Sequence, residues 1–121
     1  MKDDSARPPL TIVDDGYQAW LWLDERVAQF PVLARRMLGQ RIVTAALDAL
    51  VATVEASVIR GSARAIRLMD ANRALTLVRI LLRGARDRRH LSVAQHEHAM
   101  RLIDGWGRQL GGWLRSERGP R

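Results

Sequence analysis

A chain of 121 residues, 47% hydrophobic and 27% charged, has the size of one domain with one modest core and leaves little room for a separate catalytic module. With no cysteine it forms no disulfide, offers no thiolate nucleophile and builds no cysteine-ligated metal site. Twenty basic residues against thirteen acidic ones give a formal charge of +7, and nineteen of the twenty are arginines, whose planar, weakly hydrated guanidinium favours phosphate contact.

Residues 1–12 have the composition of a flexible tail. Met1-Lys2-Asp3-Asp4 is acidic and Pro8-Pro9 interrupts the first apolar residues, an arrangement unlike a signal peptide. Asp14-Asp15 are expected as N-caps of a first helix carrying Tyr17, Trp20, Leu21 and Val27 on one face. Phe30-Pro31 closes that helix, because the residue before proline is pushed out of helical geometry. A second helix is expected from about Val32 to about Ile59. Its positions 33, 37, 40, 44, 47, 51, 54 and 58 keep alternating spacings of four and three and are apolar except at Gln40 and Thr44. Leu38, Ile42, Ala46 and Ala49 form a second apolar stripe, which predicts a helix covered from two sides. The most apolar long run, Ile42 to Ile59, carries Asp48 and Glu55, so no membrane span is expected and a cytoplasmic protein is.

Gly61-Ser62 marks the next break, before a third helix over about 63–85 with Leu68, Leu75, Val78 and Leu82 inward. Asp87-Arg88-Arg89-His90 reads as a charged link, and Ser92-x-x-Gln95 has the form of a capping box. The fourth helix follows, with Val93, His96, Met100, Ile103, Trp106/Gly107, Leu110 and Trp113 along its seam. Short links between four helices predict an all-α, up-and-down four-helix bundle over residues 13–116, with 117–121 as a C-terminal tail.

The charge is unevenly placed. Residues 1–30 hold six acids and three bases, whereas residues 60–89 hold nine arginines and two aspartates, a segment net of +7. Arg79, Arg83 and Arg86 project from one face of the third helix, and Arg60, Arg64 and Arg67 repeat that geometry upstream. Such a stripe fits phosphate contact, and equally a solvated face whose arginine stems cover apolar surface. His96 and His98 point to different sides of a helix and cannot chelate as an i,i+4 pair would, so no metal site is expected, and His96 reads as a satisfied core or interface histidine. Glu97 and Asp104 share a helix face without a partner base or nucleophile, and Glu55 reads as either a buried helper or an interface acid. No phosphate loop is present, and neither an enzyme nor a cofactor is expected.

Glycines at 107, 111 and 112 each cost a helix roughly 1 kcal/mol against alanine, which close approach of another helix over Gly107 and Gly111 would offset. The alternative is that Gly111-Gly112 ends the helix. Four tryptophans (Trp20, Trp22, Trp106, Trp113) are many for one seam, and Trp20 and Trp22 face roughly opposite sides. With the doubly apolar second helix, they point to oligomerisation.

Four ordered segments carry a resemblance. They are Phe30-Pro31 followed by Arg35/Arg36 and Leu38-Gly39-Gln40-Arg41-Ile42; Ala71-Asn72 followed by Leu75 and Leu77-x-Arg79-x-x-Leu82-Arg83; Leu91-Ser92-x-x-Gln95-x-Glu97-x-Ala99; and Gly107-Arg108-x-Leu110-Gly111-Gly112-Trp113-Leu114. Over about residues 17–116 the chain resembles the accessory variability determinant (Avd) proteins of diversity-generating retroelements, relatives of four-helix-bundle proteins encoded in 23S ribosomal RNA intervening sequences.

The resemblance implies a homopentameric barrel of bundles with a basic surface. It also implies binding of RNA and DNA, association with the retroelement's reverse transcriptase, and a non-catalytic part in error-prone cDNA synthesis. Arg79 and Arg83 match the family's arginine pair on the third helix, whereas Arg60, Arg64 and Arg67 rest on charge alone. A ring of basic patches would grip template RNA by counterion release, with little sequence preference, while other faces hold the polymerase. Two other readings stand beside it: a structural oligomer of the intervening-sequence type, and a protein-only adaptor whose arginines meet an acidic partner.

Overall fold

Four helices and three short links make up residues 7–117, which the computed structural model describes, with side chains from residue 11 onward. They are α1 (Arg7–Val27), α2 (Val32–Val58), α3 (Gly61–Asp87) and α4 (Val93–Glu117). Contacts run between α1 and α2, α2 and α3, α3 and α4, and α4 and α1, closing a four-helix bundle around one core, with no strand among the described residues. Residues 1–6 and 118–121 of the expected tails lie outside the described residues.

The first helix begins earlier than expected. Pro8 and Pro9 fall in its first turn, where the backbone N–H groups that proline lacks would have no helical partner. Asp14 and Asp15 are therefore mid-helix and exposed, not caps, and Asp15 accepts a 2.6 Å hydrogen bond from the Gln109 amide on α4. Residues 7–12 are likewise helix and not tail, with Ile12 fully buried. The inward face of α1 runs through Ile12, Gly16, Ala19, Leu23 and Val27, while Tyr17 faces solvent and Trp20 and Leu21 are half-buried. Trp106 explains the rotation. Its ring lies so close to α1 that a Cβ at Gly16 would stand 2.8 Å from it, so the small residues turn inward and the large ones turn to the rim.

Phe30 is buried and Pro31 is extended (φ −54, ψ 150), as expected for the α1–α2 link. A π-helical turn, Arg35–Gly39, interrupts α2, and Gly39 within it is buried where a Cβ would lie 2.6 Å from Val27 Cγ1. Of the two apolar stripes on α2, only the second faces the core: Ile42, Ala46, Ala49, Thr53 and Ala56 are buried. Leu33, Met37, Leu47, Val51, Val54 and Val58 of the first stripe all face outward. Val32–Val58 is also long and apolar enough, by length and composition, to cross a membrane, contrary to the expectation from Asp48 and Glu55. A core helix of a bundle meets the same test.

Ile59 and Arg60 are extended, and Gly61 starts α3 at φ 68, so the break falls where the Gly61-Ser62 signal put it. Leu68, Leu75, Val78 and Leu82 face inward as expected. Past the end of α3, Arg89 takes φ 65, with its N–H on the Arg86 carbonyl (2.9 Å) and that of His90 on the Ala85 carbonyl (2.8 Å), a Schellman closure. The capping box forms in full: Ser92 N–H donates to Gln95 Oε1 (2.9 Å) and Gln95 N–H to Ser92 Oγ (3.1 Å). Helix α4 buries Ala99, Ile103, Trp106 and Leu110, with Val93 exposed at its start. At the centre Trp106 Nε1 donates to Thr53 Oγ1 (3.3 Å), and that hydroxyl donates to the Ala49 carbonyl (2.7 Å). Glu117, expected in the C-terminal tail, is the last residue of α4.

Candidate nucleic-acid interface

Nine arginines in residues 60–89 arrive on or beside one helix, and their carboxylate partners divide them. Arg64 is a structural residue. Its Nε donates to the carbonyls of Ala56 (2.9 Å) and Ile59 (2.8 Å), closing the C-terminus of α2, and its Nη1 pairs with Glu117 at 3.1 Å. The same guanidinium lies 5.1 Å over the Trp113 ring. Arg67 pairs with Asp70 (3.1 Å) and Glu55 (3.7 Å), and Arg73 with Asp70 at 3.8 Å. Glu55 is thus an exposed acid held by Arg67, not a buried helper.

Arg79 crosses to α4. Its Nε donates to Asp104 Oδ1 at 3.0 Å, and its Nη2 occupies the space over Gly107, only 2.6 Å from where a Cβ would stand. Close approach over Gly107 is therefore real, made by an arginine head and not by a second helix backbone. Cβ atoms at Gly111 and Gly112 would meet only Arg115 of the same helix, at 3.4 and 3.8 Å, and α4 runs on through both glycines. Within the protomer, Gly111 neither packs against another helix nor ends its own.

Arg79, Arg83 and Arg86 do come together. With Ile80, His96 and Met100 they line a shallow groove of about 380 Å³ between α3 and α4. Arg86 pairs with Asp87 at 3.1 Å, whereas Arg83 has no ion-pair partner among the described residues. Arg60, Arg88 and Arg89 share that condition, and all four are exposed. The upstream set of Arg60, Arg64 and Arg67 stands apart, roughly 28 Å along the helix from Arg83 at 1.5 Å per residue. Two of those three are already engaged.

Within the protomer His96 is not a satisfied core histidine: its Nε2 is sealed from solvent with no hydrogen-bond partner among the described residues. Burial first, then the positive charge of Arg86, hold its imidazole below the ordinary range, against the opposing pull of Asp87 and Glu97. His98 turns to the other side and packs against Trp22, with ring centroids 4.9 Å apart and the planes inclined at 55°. Among the described residues no group of three or more His, Asp or Glu is placed to hold a metal ion.

Each rim tryptophan has a seat within the protomer. Trp22 lies between His98 and the Arg26 guanidinium, Trp20 beside Tyr17, and Trp113 under Arg64. Asp104 and Glu117, which fix Arg79 and Arg64, carry no local signal of that role in the sequence, since each partner lies on another helix.

No curated protein and no solved structure matches the chain significantly. A protein-family model described as bAvd-like matches residues 19–117, which span the C-terminal part of α1 and the whole of α2, α3 and α4. The chain belongs to the bAvd-like family of accessory variability determinant proteins.

Proposed function

We propose that this protein is a non-catalytic accessory component of a diversity-generating retroelement, which binds RNA, and DNA with it, and holds them near the retroelement's reverse transcriptase. The observation that carries the reading is the α3–α4 groove. There Arg83 stands between Arg79 and Arg86 without a carboxylate partner among the described residues, in a member of this family. Guanidinium groups at one-turn spacing match successive phosphates, and the absence of exposed tryptophans beside them favours backbone contact over base readout. Assembly into a homopentamer is part of the proposal. It is supported by the outward apolar stripe of α2, which one protomer leaves uncovered. Repeating the groove around a ring would multiply the formal +7 of each chain along one bound strand.

Binding of a structured RNA across a salt series, with solution mass taken on the same sample, tests the reading. The expected result is an oligomer whose log affinity falls linearly with log salt, by about 0.7 per phosphate contacted on single strands. Arg83→Glu should weaken binding and flatten that slope while leaving mass and helicity intact. An oligomer that ignores RNA at low salt would remove the nucleic-acid role and leave the protein-only adaptor.

A further inference from the structure

The outward face of α2 is not one continuous surface. Gln40 and Thr44 interrupt it, dividing the apolar side chains into a C-terminal patch (Leu47, Val51, Val54, Val58) and an N-terminal one (Leu33, Met37). The N-terminal patch lies at the π-helical turn, and the last turns of α3 rise beside it. Together they form a trough of about 690 Å³ floored by Leu33, Met37, Leu38, Ile80 and Leu81. Met37 is 64% exposed and Ile80 63%, so this lining is open to water in the protomer.

Charge surrounds the trough in one sign. Arg41 stands on the α2 wall and Arg88 at the α3 end, and among the described residues no carboxylate lines it. Neither arginine has an ion-pair partner among the described residues. A phosphate backbone would satisfy the arginines and leave the aliphatic floor wet. In a second copy of this chain the exposed acids among the described residues lie on α1 (Asp14, Asp15, Asp24, Glu25), where Tyr17 is the one exposed large apolar side chain, beside the C-terminal patch of α2 (Asp48, Glu55), and at Asp87 and Glu97. Its α2 is the competing occupant, which the solution mass of Met37→Glu separates from a partner helix.

We propose that this trough docks an acidic amphipathic helix of a partner protein. Apolar side chains at i, i+3 or i+4, and i+7 would enter the floor, and flanking carboxylates would meet Arg41 and Arg88. The α3 wall from Ile80 to Arg88 is about 12 Å long, enough for about two turns of such a helix. The trough adjoins the arginine groove at Ile80, which lines both, but its own arginines, Arg41 and Arg88, are not those of the groove, and docking there does not depend on nucleic-acid binding.

The test uses the full chain in its own assembly state and a labelled synthetic helical peptide of about fourteen residues. Leucines sit at i, i+3, i+4 and i+7 with Glu and Ala elsewhere, and a twin peptide carries Lys for each Glu. By fluorescence anisotropy the acidic peptide should bind, and its lysine twin should bind about tenfold more weakly or worse. Met37→Glu should weaken the acidic peptide by a similar factor, with mass and helicity unchanged, whereas Asn72→Glu, the same charge change at an exposed position of α3 outside the trough, should not. Arg41→Glu with Arg88→Glu should reverse the preference between the two peptides. No binding, equal binding of both peptides, or indifference to Met37→Glu overturns the proposal. A Met37→Glu variant that falls to single protomers would make the trough an interface between copies, and RNA affinity that drops in step with peptide affinity would make it a phosphate site; either result also overturns it.

Discussion

Gly16 and Gly111 are both helical glycines, and the space around them makes opposite demands. A Cβ at Gly16 would press at 2.8 Å on the rigid, buried ring of Trp106, whereas one at Gly111 would meet only the mobile head of Arg115 at 3.4 Å. Gly111→Ala should therefore raise stability by about 1 kcal/mol through helix propensity. Gly16→Ala should lower it by about 1–3 kcal/mol through overpacking. Chemical denaturation of both variants at matched solution mass measures the difference; equal effects would mean that Trp106 does not press on α1. Thr53 poses a sharper polar question, because its hydroxyl is the acceptor for the buried Trp106 indole N–H. Thr53→Val leaves that donor unmet and should cost about 1–3 kcal/mol, with Thr53→Ser recovering much of it. A Thr53→Val variant as stable as Thr53→Ser would show that the 3.3 Å contact contributes nothing.

Between elements, the α3–α4 groove is where charge and burial compete. His96 on α4 faces Arg79, Arg83 and Arg86 of α3, with Asp87 and Glu97 pulling the other way. Because its folded pKa lies below the ordinary value of 6.5, the unfolded chain takes up this proton first as pH falls. Stability from this group is thus constant above 6.5 and declines as pH drops through it, until the lowered folded value is passed. His96→Leu should remove that decline, read as denaturation midpoints between about pH 7.5 and pH 5; an unchanged slope would assign it to other groups. Bound phosphate should oppose the lowering, so RNA should gain affinity over the same interval. How much of these elements was legible follows from range. The Ser92/Gln95 box was readable because both its bonds span three residues. The arginine face of α3 was readable because helical spacing alone sets it. The role of Arg64 was not, since Glu117 lies 53 residues away. Nor does periodicity tell which of two apolar stripes on α2 packs inward. Side-chain size decides that: Ala46, Ala49 and Ala56 let α2 approach its neighbours, and the larger Leu47, Val51 and Val54 turn outward.

For the molecule as a whole, the two patches on α2 imply two uses. The C-terminal one comprises Leu47, Val51, Val54 and Val58, and Ile66 of α3 adds to the exposed apolar surface. Soluble monomers rarely leave such contiguous surface to water, so this patch is the expected seam between copies. Val54→Glu places a charge at the middle of it, on a side chain already 42% exposed, and should leave the fold of the protomer intact. The expected outcome is a fall in solution mass from a multiple of 13.7 kDa to that value, with unchanged helicity. RNA affinity should fall with it by about 10²-fold or more, although Val54 lies away from the arginine groove, because each protomer would then bind alone. That joint loss is the informative result. If mass falls and RNA affinity does not, a single groove suffices and the ring adds nothing to binding. If mass is unchanged, the seam lies on another face, and the tryptophans at the rim of the bundle become the next place to substitute.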